Sequence, residues 1–167
     1  KFILAGNILT HEPELICESL NPDFGIVGEG EVTIIELLEC IKSNNNLKDV
    51  DGVVYKENGE VIRTKRRTPI KDLDFLPFPD YDSFGFDEYL NNTYCNEYYY
   101  NNTLDFPRTY ALVGSRGCAF NCTFCWHPEN YRWRSVDNIM DELKLVVKKF
   151  RINNLLILDD CFSIKQE

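Results

Sequence analysis

Along this chain, short apolar runs alternate with longer stretches whose apolar residues recur every three or four positions. Residues 2–5 form an apolar run ending at Gly6-Asn7, which reads as a buried strand followed by a turn. Pro13 suits the first turn of a helix with apolar residues Leu15, Ile16 and Leu20, stopped by Asn21-Pro22. Phe24-Gly25-Ile26-Val27 reads as the next strand and ends in Gly28-Glu29-Gly30-Glu31. Thr33 and Glu36 have capping-box spacing, followed by Ile34, Leu37, Leu38 and Ile41 at helical intervals. Strand, helix, strand, helix in this order predicts parallel strands with helical crossovers.

Val53-Val54-Tyr55 and Val61-Ile62 flank Asn58-Gly59, which predicts a two-residue hairpin. Lys65-Arg66-Arg67 reads as a solvated charge cluster. Pro69, Pro77 and Pro79 break the next stretch into an ordered linker in which acidic and aromatic residues alternate. Residues 86–107 are rich in tyrosine and asparagine and read as a variable surface loop, with a lid over substrate as the alternative. Thr109-Tyr110-Ala111-Leu112-Val113 predicts a strand. Ser135 then caps a helix with Val136, Ile139, Met140, Leu143, Val146, Val147 and Phe150 on its apolar face. Residues 155–158 make a second strand, ending in Asp159-Asp160. The expected divisions are 1–67, 68–107 and 108–167.

Composition adds limits. With 167 residues, 44% of them hydrophobic, the chain can build a core, and general disorder is excluded. No run approaches the roughly 18 apolar residues of a membrane span, and no signal peptide is visible, so a cytoplasmic protein is expected. Lys1 leads straight into one apolar run and the chain stops just after another, as if both ends cut through a fold; a segment of a longer protein is expected. Isolated, such a segment would leave strand edges uncovered and is expected to aggregate. The net charge of −9 argues against gripping a phosphate backbone, so no nucleic-acid partner is expected. Residues 108–136 run against that trend, with Arg108, Arg116, Arg132 and Arg134 against Glu129 alone. These arginines would favour thiolates and a carboxylate-bearing ligand, or simply pair with acidic neighbours.

Three of the seven cysteines lie in that basic stretch, as Cys118-x₃-Cys122-x₂-Cys125. Thiolates this close, in a chain without signs of secretion, point to a metal and away from a disulfide framework. A structural zinc site or a simple electron-transfer cluster would need a fourth ligand, and His127 and Cys161 are the nearest candidates. A 4Fe–4S cluster held by three cysteines instead keeps one iron open. The non-catalytic alternative is therefore a zinc- or iron–sulfur-binding module.

The triplet, with Phe124 just before its last cysteine, resembles the signature of radical S-adenosylmethionine (SAM) enzymes. Ser115-Arg116-Gly117 and Tyr131-Arg132-Trp133-Arg134-Ser135 resemble the subgroup that carries a cobalamin-binding domain ahead of the radical domain. The resemblance implies that Cys118, Cys122 and Cys125 hold the cluster, whose open iron chelates SAM and cleaves it to a 5′-deoxyadenosyl radical. It also implies that Phe124 lies against the adenine. It further implies a small-molecule substrate, an electron donor such as flavodoxin or ferredoxin, and methyl transfer, rearrangement or cyclisation as the reaction.

Glycine turns at strand ends are where open α/β sheets bind ligands. The opening region resembles the C-terminal half of a cobalamin-binding domain, with Gly6 and Gly28-Glu29-Gly30 placed to line the nucleotide tail of cobalamin; ordinary turns are the alternative. The expected fold is thus α/β: a partial doubly wound, Rossmann-like cobalamin-binding half, then the opening βαβ unit of a (β/α) TIM-type radical SAM barrel. Asp159 and Asp160 share the active edge with the cysteines and are candidates to orient SAM or substrate, or to cap the next helix. Cys17 and Cys40 read as buried packing residues, Cys95 has no evident partner, and His127 reads as a supporting hydrogen-bond group.

Overall fold

The computed structural model describes residues 1–92, 107–125, 130–162 and 164. The chain folds as two units, Lys1–Ile70 and Lys71–Glu167.

The first unit holds a four-stranded sheet in sequential order: β1 (Ile3–Ala5), β2 (Phe24–Ile26), β3 (Val53–Glu57) and β4 (Glu60–Arg63). The β1–β2 pair is parallel, with Leu4 opposite Gly25. The pairs β2–β3 and β3–β4 are antiparallel, so the parallel pattern predicted for the opening strands stops at β2. The β3–β4 turn is the predicted one: Asn58 (φ 53°) and Gly59 (φ 86°) both take the left-handed conformation that a tight hairpin demands. Helices α1 (Asn7–His11) and α2 (Pro13–Leu20) connect β1 to β2, and α3 (Glu31–Ser43) follows β2.

Successive side chains of a strand point to opposite faces, and β3 uses both. Val53 and Tyr55 pack with Leu37 and Cys40 of α3, while Val54 packs with Leu9 of α1 and Cys17 of α2. Helices on both faces explain why β2 and most of β3 are apolar without alternation. Gly25 is required by this packing: a Cβ there would stand 2.5 Å from Val54 Cγ1 and 2.8 Å from Leu9 Cδ2.

Three local expectations are corrected. Residue 7 opens a short helix where a turn was expected, so two helices occupy this connection. No capping box forms at Thr33 and Glu36. Gly30 is the N-cap of α3 without a side-chain cap bond; Thr33 is buried, and its hydroxyl accepts from Arg67 Nε (2.7 Å). Glu36 pairs with the Arg67 guanidinium. Arg67 therefore leaves the expected solvated cluster: its side chain is 16% exposed and also donates to Asp51 O (3.2 Å).

The second unit contains α4 (Phe86–Asn92), β5 (Thr109–Leu112), β6 (Ser115–Arg116), β7 (Arg132–Trp133), α5 (Val136–Phe150) and β8 (Asn154–Ile157). Strands β5 and β8 are parallel and joined through α5, the predicted βαβ unit. Ser135 caps α5 as expected, its Oγ accepting from Asn138 N (3.1 Å). Val146 and Phe150 are buried with Tyr110 and Leu112 of β5, whereas Val136, Met140 and Val147 on the same predicted stripe are exposed. Tyr81, Leu90, Phe78 and Phe86 complete this core, so the proline-rich stretch contributes packing as well as connection. Phe86 meets Phe150 edge-on at 5.1 Å between ring centroids. No helix among the described residues is long and apolar enough to cross a membrane. The architecture is mixed α/β: a four-stranded sheet with one parallel and two antiparallel pairs and helices on both faces, then a βαβ unit.

Candidate functional site

The cysteine loop leaves the carboxyl end of β5 and is bracketed by the short antiparallel pair β6–β7, in which Ser115 faces Trp133 and Arg116 faces Arg132. These two-residue strands are too short to show a period, and sequence reasoning missed them. Arg134 N donates to Gly114 O (2.8 Å), closing the base of the loop.

Within the loop, Cys125 N donates to Cys122 O (3.1 Å), a turn that brings both residues onto one bend. Cys122 and Cys125 are exposed free thiols and Cys118 is a half-buried one. The donor set, three accessible soft ligands without a disulfide, suits an iron–sulfur cluster. Among the described residues, however, no three Cys, His, Asp or Glu side chains stand gathered as a metal-binding group. Phe124 is 91% exposed. His127 and Cys95 lie outside the described residues.

Asp159 and Asp160 reach the same edge and differ. Asp159 accepts from Gly114 N (2.7 Å) and Ser115 Oγ (2.8 Å), so its carboxylate ties the end of β8 to the start of the cysteine loop. Asp160 is exposed. Cys161, two residues beyond Asp159, places its Sγ 3.0 Å from Cys118 Sγ, and this contact holds its thiol pKa above the usual range.

Behind the loop lies a buried polar cluster. Glu142, 2% exposed, pairs with Arg134 (2.5 Å) and accepts from Tyr81 OH (2.7 Å), while the Tyr81 and Tyr110 hydroxyls are 2.8 Å apart. Burial, then the bonds to Tyr110 and Glu142, hold the Tyr81 hydroxyl above its normal range. Tyr110 is pushed up to about 12, chiefly by burial. Arg134 also donates to Asn138 Oδ1 (2.7 Å) and Val113 O (3.2 Å), so its charge is spent inside the scaffold. Arg108 likewise pairs with Asp87 and donates to Phe150 O (2.7 Å). For these two arginines the pairing alternative holds. One signal was legible and missed: Glu142 sits three residues after Ile139 and four before Val146, a charge inside the apolar stripe of α5.

The first unit has its own open edge. Gly6 (φ 129°) and Gly28 (φ 84°) follow β1 and β2, and a Cβ on either would meet nothing within 4 Å. Space left beside the backbone is what a closely approaching ligand of any kind needs, and both positions have it. Thr10, missed in the sequence, links them: its Oγ1 donates to Gly6 O (3.0 Å) and accepts from Gly28 N (3.0 Å). A Cβ on Gly30 would make only an ordinary contact, 3.6 Å from Ile26. The Glu29 carboxylate accepts from Ile70 N (2.7 Å).

No family model matches the chain. An uncharacterized methyltransferase of Pyrococcus horikoshii is 31% identical over 172 residues, 99% of this chain and 34% of that protein. An anaerobic magnesium-protoporphyrin IX monomethyl ester cyclase of Rubrivivax gelatinosus is 26% identical over 158 residues, 89% of this chain and 26% of that protein. Among solved structures, the cobalamin-dependent SAM radical enzyme OxsB, with aqua-cobalamin and SAM bound, superposes with a TM-score of 0.68 at 25% identity, covering 96% of this chain and 21% of its own. The radical SAM methyltransferase TsrM from Kitasatospora setae shares the fold, with a TM-score of 0.64 at 16% identity over 97% of this chain and 30% of its own. Over almost its whole length the chain is thus similar to a methyltransferase, to a magnesium-protoporphyrin cyclase and to cobalamin-dependent SAM radical enzymes. It spans about a third of the length of the first curated relatives it matches.

Proposed function

We propose that the protein is an enzyme that reductively cleaves SAM at a 4Fe–4S cluster and, with cobalamin, methylates, rearranges or cyclises a small molecule. The observation that carries this reading is the cysteine triplet in the loop leaving β5, in a chain whose fold matches an enzyme solved with aqua-cobalamin and SAM. When bound, the cluster supplies the electron and the open iron, and cobalamin the methyl-carrying or radical-steering chemistry. Cys118, Cys122 and Cys125 would hold the cluster, and exposed Phe124 would stack on the adenine. Asp159 is occupied in holding the loop. Asp160, exposed at the same edge, is the freer candidate to meet SAM or substrate. Gly6, Gly28 and Gly30 would admit the cobalamin tail to the backbone, while Glu29 braces the chain at Ile70. Residues 1–67 would serve cobalamin, 108–167 the cluster, and 68–107 would join them. A flavodoxin- or ferredoxin-type donor would supply the electron. The free thiols suit the cytoplasm.

The test uses the full-length protein, reconstituted anaerobically. Cys118→Ala, Cys122→Ala and Cys125→Ala should each lose the cluster and SAM cleavage, while Cys17→Ala and Cys40→Ala stay near wild type. Full activity in Cys122→Ala would sink the assignment. Phe124→Ala should weaken SAM binding at normal iron content; if both fall together, the ring is packing the loop.

A further inference from the structure

We infer that Cys118 and Cys161 form a reversible disulfide when the protein lacks its cluster, so that the first cluster ligand carries a protecting partner. The inference rests on the reading of Cys118 as a cluster ligand.

The two thiols are 43 positions apart and are brought together by the sheet. Leu112 is opposite Ile157 in the parallel β5–β8 pair, and Leu158 N donates to Leu112 O (2.9 Å), so both chains leave the edge side by side. The Asp159 carboxylate then bonds Gly114 N and Ser115 Oγ, and Ser115 Oγ also lies 3.5 Å from Cys161 O. From these anchors Cys118 is three residues onward on one chain and Cys161 two on the other, and their sulfurs stand 3.0 Å apart.

The spacing discriminates between roles. Two thiolates on one tetrahedral zinc stand about 3.8 Å apart, given zinc–sulfur bonds of about 2.3 Å, and ligands on different irons of a cluster lie farther apart still. The observed contact is shorter than either of these spacings, and a disulfide at about 2.05 Å needs an approach of only about 1 Å more. No third metal-ligating group gathers with the pair among the described residues. Both thiols are half-buried, within reach of a small oxidant.

With a peroxide as oxidant the step balances. One sulfur attacks the peroxide oxygen, giving a sulfenic acid and water; the second sulfur displaces the hydroxyl as another water. Two thiols lose two protons and two electrons, one sulfur–sulfur bond forms, and the peroxide becomes two waters. A low-molecular-weight thiol reverses the bond by exchange. Without a partner, a sulfenic acid at Cys118 would proceed to the irreversible sulfinic acid and remove a ligand permanently.

The experiment takes the full-length protein, stripped of metal and reduced, and adds hydrogen peroxide. Non-reducing peptide mapping should show Cys118 joined to Cys161, with iron uptake on reconstitution lost and then restored by dithiothreitol. In Cys161→Ser, peroxide should instead leave sulfinic acid at Cys118 and a loss of iron uptake that dithiothreitol does not repair. Cys161 recovered as a free thiol, or Cys118 joined only to Cys122 or Cys125, would overturn the inference. The wild-type mapping needs no variant to fold. Iron content and a SAM-sensitive cluster spectrum in the unoxidised protein report separately on the cluster reading.

Discussion

The β1–β2 and β5–β8 pairs, one in each unit, repeat one motif, parallel strands joined through helices, yet their carboxyl edges treat the glycine at the strand end in opposite ways. Beside Gly6 and Gly28 there is open space, and the backbone is offered to whatever approaches. Beside Gly114 the space is taken: a Cβ there would meet Asp159 Oδ2 at 3.1 Å and Ile139 Cδ1 at 3.2 Å. One edge leaves its main chain bare. The other is braced by side chains, with a carboxylate and a buried ion pair, so that an exposed loop of thiols has a rigid base.

The largest effect expected from this difference lies in the brace. Glu142→Ala leaves the Arg134 guanidinium, 13% exposed, and the Tyr81 hydroxyl without their shared partner. Removing one member of a buried pair should cost about 3–5 kcal/mol in denaturant unfolding of the full-length protein. A loss under about 1 kcal/mol would put this contact with ordinary surface pairs and weaken the contrast.

The glycines test it next. Gly114→Ala should cost about 1–3 kcal/mol through overpacking, because Asp159 must give way and with it the loop anchor. Gly28→Ala meets no protein atom and carries only the left-handed backbone penalty, about 1–2 kcal/mol, but its methyl group projects into the space proposed above for cobalamin. Its cobalamin affinity, read from the absorption change on titration, should therefore fall far more than its stability. Equal cobalamin binding by Gly28→Ala and wild type would mean that the open edge serves as a turn only.

The smallest effect is alkaline. Tyr110, pushed up to about 12, and Tyr81, also raised, stay protonated in the folded state after the unfolded chain has begun to ionise near pH 10. The unfolded state then binds fewer protons, so this contribution to stability is full below about pH 10 and is lost as pH rises through about 12. The melting temperature should hold to about pH 9 and fall above it, more shallowly in Tyr110→Phe. Identical slopes in the two proteins would remove the tyrosine pair from the account.

Much of this was legible along the chain because it is local. Asn58-Gly59 carries its own left-handed preference, Ser135 caps the helix that begins beside it, and the stripe from Ile139 to Phe150 needs only the helical period. The cysteine triplet is local as well, since a loop of eight residues must hold its own ligands near one another. What the tertiary structure decided are pairings between groups far apart in the chain. Arg67 took the side chains of Thr33 and Glu36 that local spacing assigned to a helix cap. Asp159 turned from a candidate for SAM into the anchor of Gly114 and Ser115, and Thr10 joined two glycine turns 22 residues apart. Cys161 met Cys118 because parallel strands deliver their ends to one edge. Periodicity and propensity describe a chain against solvent; a buried carboxylate or guanidinium must find whichever partner the packed elements bring within reach, and only the assembled sheet says which one that is.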